Sequence, residues 1–518
     1  MKPFFRPEGL DATPLLRAFA ERRLRTLGRQ DPLRAQRQTL RSLLRRAAQT
    51  RFGLDHGFAR ISSVRDYQAL VPLRTYEDFW RDYFAPSFPT LRDVTWSGRI
   101  PAFALTSGTT SATSKYIPVS AAMARSNIGA GFDTLAFHLA NRSHSRLFGG
   151  RNCLLGGSTA LLRLAPGVVA GDLSGIAAAR MPLWAGPRAF PPRALALTRD
   201  WEAKIAALAP ASLAHDIRSL SGTPSWMLLF FAQLAALHPQ RPRRLAAFYP
   251  NLELVVHGGV SLTPYRDALT EWLEGSHAET REVYAASEGF IAIADRGPGD
   301  GMRLVTDRGL FFEFVEPKTL DAANPPRFWL ADAKIGVNYA LVLSTNAGLW
   351  SCIVGDTVML TERNPPRLLI TGRIAATLNV FGEHLVADEL DRAVTESARA
   401  FGASVSDYTA GPHFPPEAQP RGGHLFVVEL ARQQPDQQAF ARVLDQALAR
   451  MNADYADHRR GNFGMLPPTV CLVATGRFTA WMREQGRLGG QNKVPRVIND
   501  PDRFAALQLF MGCVIEPQ

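Results

Sequence analysis

The sequence has few of the features that mark secreted proteins and metal or disulfide scaffolds. Its 518 residues include only four cysteines, which are Cys153, Cys352, Cys471 and Cys513. Because they lie far apart along the chain, they suggest neither a metal site nor a disulfide framework. The opening residues, MKPFFRPEGLD, lack the apolar core of a secretory signal. We therefore predict a reduced, cytoplasmic protein.

Long apolar runs and several catalytic motifs are also absent. The longest apolar run, residues 226–237, is interrupted by Gln233 and is too short to span a bilayer. The sequence contains no G-x-x-x-x-G-K-[ST], G-x-S-x-G or H-E-x-x-H. These absences argue against a membrane protein, a P-loop nucleotidase, an α/β-hydrolase and a zinc protease.

Positive charge is concentrated near the N-terminus of a chain whose formal net charge is +12. Eleven arginines lie between residues 17 and 51, against Glu21 and Asp31. Leu33, Leu40, Leu43 and Leu44 form a helical stripe among them, which predicts an amphipathic helix with solvated arginines. No aromatic residues lie along that stripe for base stacking. We expect neither a nucleic-acid nor a membrane partner, although an RNA-binding arm stays open.

The middle of the chain alternates strand-like and helix-like patterns, which predicts α/β layers. The composition, 46% apolar and 20% charged, is that of an ordinary globular protein. The patterns predict helices over 121–141, 199–218 and 224–237, so that His215 and Asp216 would lie on a helix. They also predict a hairpin over 304–315 with its turn at 306–309.

A second domain is predicted after the Pro-rich segment 364–367. Residues 386–473 have their own helix–strand–strand–helix–strand pattern. We predict an α/β protein with a large N-terminal domain, residues 1–371, which includes a basic helical segment (1–60) and a β-rich subdomain. A small C-terminal α+β domain would comprise residues 372–518.

The most distinctive stretch is Leu105–Val119, LTSGTTSATSKYIPV. Small residues let the backbone approach a ligand, and successive N–H groups can form an anion nest to which Lys115 adds a charge. This pattern favours a loop that wraps a polyphosphate, and a flexible Ser/Thr-rich surface loop is the alternative. The predicted nucleotide-binding residues here are Thr106, Ser107, Gly108, Thr109, Thr110, Ser111 and Lys115.

Several further motifs follow this loop in order. Together they resemble the auxin-responsive GH3 family of acyl-acid amido synthetases, bacterial-type members included, a branch of the adenylate-forming enzymes. The resemblance extends from about Val71 to Asp500. It rests on LLGGS (154–158), GTPSW (222–226), VHGGV (256–260), YAASEG (284–289), LVLSTNAGLWSCIVGDTV (341–358), Gly372-Arg373 with NVFGE (379–383), and GGQNKVPR (489–496).

The resemblance implies that ATP and Mg²⁺ bind beside the small-residue loop. Glu288 would be catalytic and hold the metal, Asp356 would bind the ribose, and Arg373 would contact the nucleotide. From the residues alone, Glu288 and Asp356 could equally be turn residues. The adenine pocket would be lined by Tyr284, Ala285, Ala286 and Ser287.

The resemblance also implies a mobile C-terminal domain and an acid pocket. Lys493 would swing in to stabilise the leaving pyrophosphate, unless it is a solvated tail lysine. Trp226 would form an aromatic wall for a hydrophobic acid. His257, Gly258, Gly259 and Val260 would line the same pocket, although His257 could instead be a packed core residue.

The implied activity is that of a ligase forming carbon–nitrogen bonds. A carboxylic acid would be adenylated with release of pyrophosphate. An amine, expected to be an amino acid, would then take the acyl group. The protein is expected to be a monomer. A thiol acceptor such as coenzyme A stays open. A nucleotide-binding protein with little turnover also stays open, because Ala112 and Thr113 replace the usual Gly and Lys of the loop. Ala375 and Ala376 likewise depart from the polar residues usual at the hinge.

Overall fold

The computed structural model divides the chain into two units. The first is Met1–Val260 with Glu271–Leu369, and the second is Ser261–Thr270 with Ile370–Gln518. The division after Leu369 lies close to the predicted boundary at 371/372. The residues described are 11–106, 115–156, 161–180, 183–196, 198, 201–259, 262, 265–297, 299–320, 322–374, 378, 385–413, 422–431, 435–452, 455–456, 459, 465–486 and 493–513.

Helices of the first unit lie mainly before and between its strands. Helix α12 contains residues of both units. Their bounds are α1 Thr13–Gly28, α2 Pro32–Ala47, α3 Arg51–Asp55, α4 Val64–Leu70, α5 Tyr76–Phe79, α6 Ala121–Asn141, α7 Leu173–Ala179, α8 Arg193–Ala196, α9 Trp201–Ser212, α10 Pro224–Leu237, α11 Leu245–Phe248 and α12 Arg266–Leu273.

The strands of the first unit form two sheets. Strand β16 ends in the second unit. The bounds are β1 Ala102–Thr106, β2 Lys115–Val119, β3 Arg151–Leu155, β4 Leu162–Ala165, β5 Val168–Gly171, β6 Ala189–Phe190, β7 Ile217–Gly222, β8 Leu254–Gly258, β9 Glu279–Ala286, β10 Gly289–Ile293, β11 Met302–Leu304, β12 Leu310–Val315, β13 Phe328–Trp329, β14 Asn338–Thr345, β15 Cys352–Arg363 and β16 Pro366–Arg373.

The larger sheet has the order β13-β12-β14-β15-β16-β11-β10-β9-β8-β7-β3-β6, and the smaller has the order β2-β1-β5-β4. Neighbours from β9 through β8, β7 and β3 to β6 are parallel. The pairs from β9 through β10 to β11, and from β11 to β16, are antiparallel. The first unit is therefore an α/β domain with an antiparallel β-rich part, which confirms the predicted fold class.

Helix α2 packs its predicted apolar stripe against the first unit. Leu40, Leu43 and Leu44 are buried in a cluster that also contains Phe52 and Trp350. The helix begins after Asp31, whose side chain accepts the backbone N–H groups of the first turn. The amphipathic interpretation of this segment is confirmed.

Two local predictions are wrong. The predicted helix over 199–218 ends at Ser212, and a buried strand, β7, begins at Ile217, so His215 and Asp216 lie in the connection. Strand β7 pairs with β3 and β8, and this tertiary pairing overrides helix propensity.

The predicted hairpin over 304–315 is also absent from these described residues. Strand β11 pairs with β10 and β16, whereas β12 pairs with β13 and β14.

The second unit has an α+β arrangement. Its sheet has the order β17-β18-β19, with β17 Val405–His413, β18 Gly423–Leu430 and β19 Thr469–Val473. Side chains of α13 and α14 share one buried cluster with this sheet. Its helices are α13 Ala387–Ala400, α14 Gln437–Met451, α15 Arg477–Glu484 and α16 Pro501–Met511.

A disulfide in the second unit corrects the prediction from cysteine spacing. Cys471 in β19 is bonded to Cys513, which follows α16, at a sequence separation of 42 residues. Helix α16 packs against the sheet through Phe504 and Leu507, and this packing brings the two cysteines together. Cys153 and Cys352 are buried free thiols.

The helices of the described segments are short or polar relative to a bilayer. Within the described segments, no helix combines the length and the apolarity that crossing a bilayer requires.

A buried ionic cluster ties α6 to strands β8 and β9. The His138 ring is fully buried, with Nδ1 2.8 Å from Glu279 Oε1 and Nε2 3.6 Å from Glu253 Oε2. Glu253 also accepts a 2.6 Å bond from Arg218. Burial alone lowers the pKa of His138, but the two carboxylates outweigh it and leave that pKa raised. The protonated ring therefore stabilises the folded unit.

We predict that His138→Gln destabilises the protein by about 1–3 kcal/mol, because a charged hydrogen-bonding partner of two buried carboxylates is removed. The raised pKa makes the wild-type contribution complete below pH 6.5 and progressively lost as pH rises through the folded-state value. Thermal unfolding should therefore show a larger deficit at pH 6 than at pH 9. The exposed His277→Gln variant is the matched control. An equal deficit at both pH values would contradict this account.

Candidate active site

Four of the singled-out motifs lie where neighbouring strands of the large sheet end. Strand β3 ends at Leu155, which is paired with Gly222 of β7. Gly222 is paired with His257 of β8, and His257 with Glu282 of β9. The carboxyl ends of β3, β7 and β8 are therefore level along one edge of the sheet, and β9 runs on past them. Such an edge is the usual place for a ligand in an open α/β sheet.

The YAASE segment continues β9 beyond that level edge. Tyr284 is buried, and Ser287 and Glu288 form the two-residue turn to β10, with Ala286 paired to Gly289. Gly289 has φ +150°, and a Cβ there would lie 2.8 Å from the Leu310 side chain. The turn is thus held close to β12, and it presents the half-buried Glu288 at the strand end.

Asp356 lies in the middle of β15 and not in a turn. Between Ile353 and Thr357 the pairing with β14 shifts, so this part of β15 bulges. Gly355 allows the bulge with φ +93°. The Tyr284 hydroxyl donates a 2.5 Å hydrogen bond to Asp356 Oδ2. Two predicted nucleotide residues from non-adjacent strands are therefore in direct contact.

Lys115 lies at the end of the phosphate loop, where it begins β2 opposite Thr106. Its Nζ is 2.7 Å from Glu77 Oε1 and 5.2 Å from the centre of the Tyr76 ring. Glu288 and Lys115 both act on the buried Cys352 thiol. Burial raises the pKa of this thiol, the Glu288 charge raises it further, and Lys115 opposes the rise.

Glu288 is not part of an all-protein metal cage in the described chain. No group of three or more His, Cys, Asp or Glu side chains suited to a metal ion occurs among the described residues. Mg²⁺ commonly binds through one or two carboxylates, with the remaining ligands supplied by substrate phosphates and water. A single carboxylate such as that of Glu288 is compatible with that mode of binding.

The predicted acid-pocket residues lie at the same strand ends. His257 is 2% exposed, and Trp226 is half-buried in the first turn of α10. A Cβ at Gly258 would lie 2.2 Å from the Val283 carbonyl, so only glycine fits between β8 and β9 there. Thr223, the residue before α10, has a buried hydroxyl that makes no hydrogen bond to any described residue.

Lys204 is a candidate that sequence reasoning missed. It lies on α9, is 2% exposed, and donates a 3.2 Å hydrogen bond from Nζ to the Gly156 carbonyl. Burial lowers the pKa of this lysine, while Asp172 and Cys153 oppose that effect. It thus supports the end of β3, where the LLGGS motif begins. The available signal was a lysine directly before the apolar run IAALAPA in the helix WEAKIAALAPAS.

Two predicted residues belong to the second unit. Arg373 is exposed at the end of β16. Lys493 is also exposed, and it precedes a segment that ion pairs and backbone hydrogen bonds attach to the rest of the second unit. Arg496 in that segment is 2.9 Å from Asp391 and also pairs with Asp407. Burial lowers the pKa of Arg496, but these carboxylates outweigh it and leave the pKa raised. The Ala410 N–H donates a 2.9 Å hydrogen bond to the Arg496 carbonyl, and the Ala410 carbonyl accepts a 2.9 Å hydrogen bond from the Ile498 N–H.

Several predicted residues lie outside the described part of the chain. These are Ser107, Gly108, Thr109, Thr110 and Ser111 of the loop with the substituted Ala112 and Thr113, Val260 of the acid pocket, and Ala375, Ala376 and Glu383 of the hinge region. Thr106 is described in β1 by its backbone alone.

Family comparisons account for these motifs. The GH3 family N-terminal domain matches residues 26–158, the central domain 303–373, and the C-terminal domain 388–502. The chain belongs to the GH3 family. Its N-terminal match includes the phosphate loop, its central match includes Asp356, and its C-terminal match includes Lys493. The resemblance inferred from the sequence is confirmed.

Individual GH3 relatives are distant. The chain is 24% identical over 274 residues to indole-3-acetic acid-amido synthetase GH3.3 of Arabidopsis thaliana, covering 49% of this chain and 45% of the relative. It is 26% identical over 275 residues to jasmonoyl–L-amino acid synthetase JAR6 of Nicotiana attenuata, covering 49% and 46%. The chain spans about half the length of the curated relatives that it matches.

Solved structures extend the likeness over nearly the whole GH3 chain. The GH3.15 acyl acid amido synthetase superposes with a TM-score of 0.77 at 17% identity, covering 98% of this chain and 97% of the other. A 2-hydroxyisobutyryl-CoA ligase in the postadenylation state, in complex with R3-HIB-AMP, gives 0.59 at 16% identity, covering 92% of each chain. At these identities the likeness establishes the fold, which is that of adenylate-forming enzymes.

Proposed function

We propose that this GH3 protein is an ATP-dependent acyl-acid amido synthetase, a ligase that forms carbon–nitrogen bonds. A carboxylate oxygen of the acid attacks the α-phosphate of ATP, giving an acyl-adenylate and pyrophosphate. An amine then attacks the acyl carbon, giving an amide and AMP. The observation that carries the proposal is the alignment of the LLGGS, GTPSW and VHGGV motifs at one sheet edge, beside the strand β9 that runs on into YAASE.

The proposed nucleotide contacts follow from the strand ends. The Asp356 carboxylate would accept hydrogen bonds from the ribose hydroxyls, and the Tyr284 hydroxyl holds it in place from β9. Tyr284, Ala285, Ala286 and Ser287 would line the adenine pocket. A phosphate would replace Glu77 as the ion-pair partner of Lys115, because a polyphosphate carries more negative charge than one carboxylate.

Glu288 is the residue that we propose holds Mg²⁺. When bound there, the ion would neutralise charge on the phosphates. The turn between β9 and β10 fixes the position of the carboxylate, so the protein's part would be to present an anionic oxygen at the end of β9.

The substrates that we propose are an aryl or medium-sized hydrophobic carboxylic acid and an amino acid. Trp226 and the His257–Gly259 strand end would contact the acid's apolar part. The Thr223 hydroxyl, buried at the start of α10, is a donor of the kind that a carboxylate needs. In this proposal the enzyme works as a cytoplasmic monomer, without a nucleic-acid or membrane partner.

The activity is tested with ATP, Mg²⁺ and a panel of aryl and aliphatic acids. We expect acid-dependent pyrophosphate release, because adenylation precedes acyl transfer. Hydroxylamine should trap the acyl group without coenzyme A, and an amino-acid panel should yield an amide identified by mass spectrometry. Thioester formation with coenzyme A alone would favour the thiol-acceptor alternative. Nucleotide binding without pyrophosphate release would favour the protein with little turnover.

We predict that Asp356→Asn weakens ATP binding by about 10-fold or more, because charge-assisted hydrogen bonds contribute about 1.5–3 kcal/mol. Turnover at saturating ATP should change less, since the ribose contact is made equally in the ground and transition states. Asparagine still accepts the Tyr284 hydrogen bond, so the bulge should persist. Calorimetry measures the binding constant, with the exposed Asp332→Asn variant as the control. An unchanged dissociation constant would refute the ribose role.

We predict that Lys493→Ala slows pyrophosphate release by about 100-fold or more, because it removes charge stabilisation that forms mainly in that transition state. Amide formation from a supplied acyl-adenylate should stay nearly unchanged. Single-turnover rates of the two half-reactions provide the measurement, and Lys318→Ala, with a 73% exposed side chain, is the control. An equal loss in both half-reactions would exclude the proposed alternation.

A further inference from the structure

A large open cleft lies on the first unit. Its volume is about 1490 Å³, and its walls come from α1, α2, the start of α6 and the segments around residues 97–99 and 307–309. Among the described residues, seven arginines and two aspartates line it. The cleft is thus strongly positive.

The two N-terminal helices each contribute one polar stripe. Arg22, Arg25 and Arg29 recur at helical spacing from α1 into the residue that follows it. Arg34 and Arg46 lie twelve residues apart on one face of α2, with Gln38 and Ser42 between them at intervals of four. At 1.5 Å per residue the α2 stripe is about 18 Å long. The solvated faces of both helices therefore converge on one concavity.

The carboxylates of the cleft are already engaged elsewhere. Asp31 accepts the N–H groups of Leu33 and Arg34 at the start of α2, and Asp307 is paired at 2.7 Å with Arg23. Over the described ranges, no carboxylate pairs with Arg29, Arg34, Arg46 or Arg125. Arginines that converge without counter-charges raise the local affinity for anions.

The N-terminus of α6 adds backbone donors to the same cleft. Ser120 accepts the N–H of Met123, and its carbonyl accepts the N–H of Ala124. The N–H groups of Ala121 and Ala122 precede the first helical hydrogen bond, and both residues line the cleft. The start of a 21-residue helix favours anions through these N–H groups and the helix dipole.

The cleft is separate from the phosphate loop. Strands β1 and β2 pair Thr106 with Lys115 beside the loop, and Ala102 with Val119 at the other end. Arg99 and Ser120 flank that other end and line the cleft. The two ends are about 13 Å apart along the strands, at 3.3 Å per residue.

We propose that this cleft binds a compact polyphosphate anion. Guanidinium groups bind phosphate oxygens in pairs, and a concave site with arginines from several elements suits phosphates grouped on one small molecule. Single-stranded nucleic acid would require exposed aromatic rings for stacking. Trp96, the aromatic residue lining the described cleft, is only 7% exposed.

Inorganic tripolyphosphate is the probe, and calorimetry on the full chain is the measurement. Arg34→Gln/Arg46→Gln removes two cleft charges, and Arg41→Gln/Arg45→Gln removes two exposed charges of the same helix outside the cleft. We expect the first pair to weaken tripolyphosphate binding by about 10-fold or more and the second by less than about 2-fold. Binding at the phosphate loop alone would leave all three proteins equal, and that result would overturn the proposal.

Nucleic acid is tested in parallel with a single-stranded and a duplex RNA of about 20 nucleotides per strand. The proposal expects tripolyphosphate to bind more tightly than either RNA at 0.15 M salt, where surface charge is screened. If RNA binds more tightly and loses affinity in Arg34→Gln/Arg46→Gln, the cleft is a nucleic-acid site and the proposal is wrong. These readouts do not depend on ligase activity, so failure of the proposed function would leave them unaffected.

Discussion

The parallel pairing of β3, β7, β8 and β9 is the constraint on which the candidate site depends. Because a shift of one residue would turn every side chain to the opposite face, the register fixes the height of each strand end. Gly258 shows how tight the pairing is, since a Cβ there would reach the Val283 carbonyl. Motifs spread over more than a hundred residues of sequence therefore lie along one part of the sheet.

Buried charged residues hold these strands at both ends. His138 joins α6 to Glu253 just before β8 and to Glu279 in β9, while Lys204 joins α9 to the end of β3. Buried ionic groups contribute little net stability when they replace apolar packing, but they are costly to leave unpaired. Here these charged groups fix the positions of the helices relative to the strands, because each bond forms only when its helix and strand take one relative position.

Sequence patterns predicted α6 and α10 with the bounds that are observed, because capping residues and long apolar periodicity act locally. They failed where pairing between distant strands decides the outcome. Strands β11 and β12 are close in sequence yet lie apart in the sheet, and the bulge at Gly355 places Asp356 within β15. The Cys471–Cys513 bond and the burial of Lys204 likewise depend on helix packing that spacing cannot reveal.

The arginine-rich N-terminus shows a different limit of pattern analysis. One amphipathic helix has an apolar face that packs and a charged face that is solvated, and α2 fits this description. A single-helix pattern carries no information about where its charged face points relative to other helices. Once the Arg23–Asp133 ion pair joins α1 to α6 and the apolar face of α2 packs on the first unit, three separately solvated faces meet in one cleft. Charge that is unremarkable on each helix becomes concentrated by the packing of all three, and that concentration gives the surface its affinity for anions.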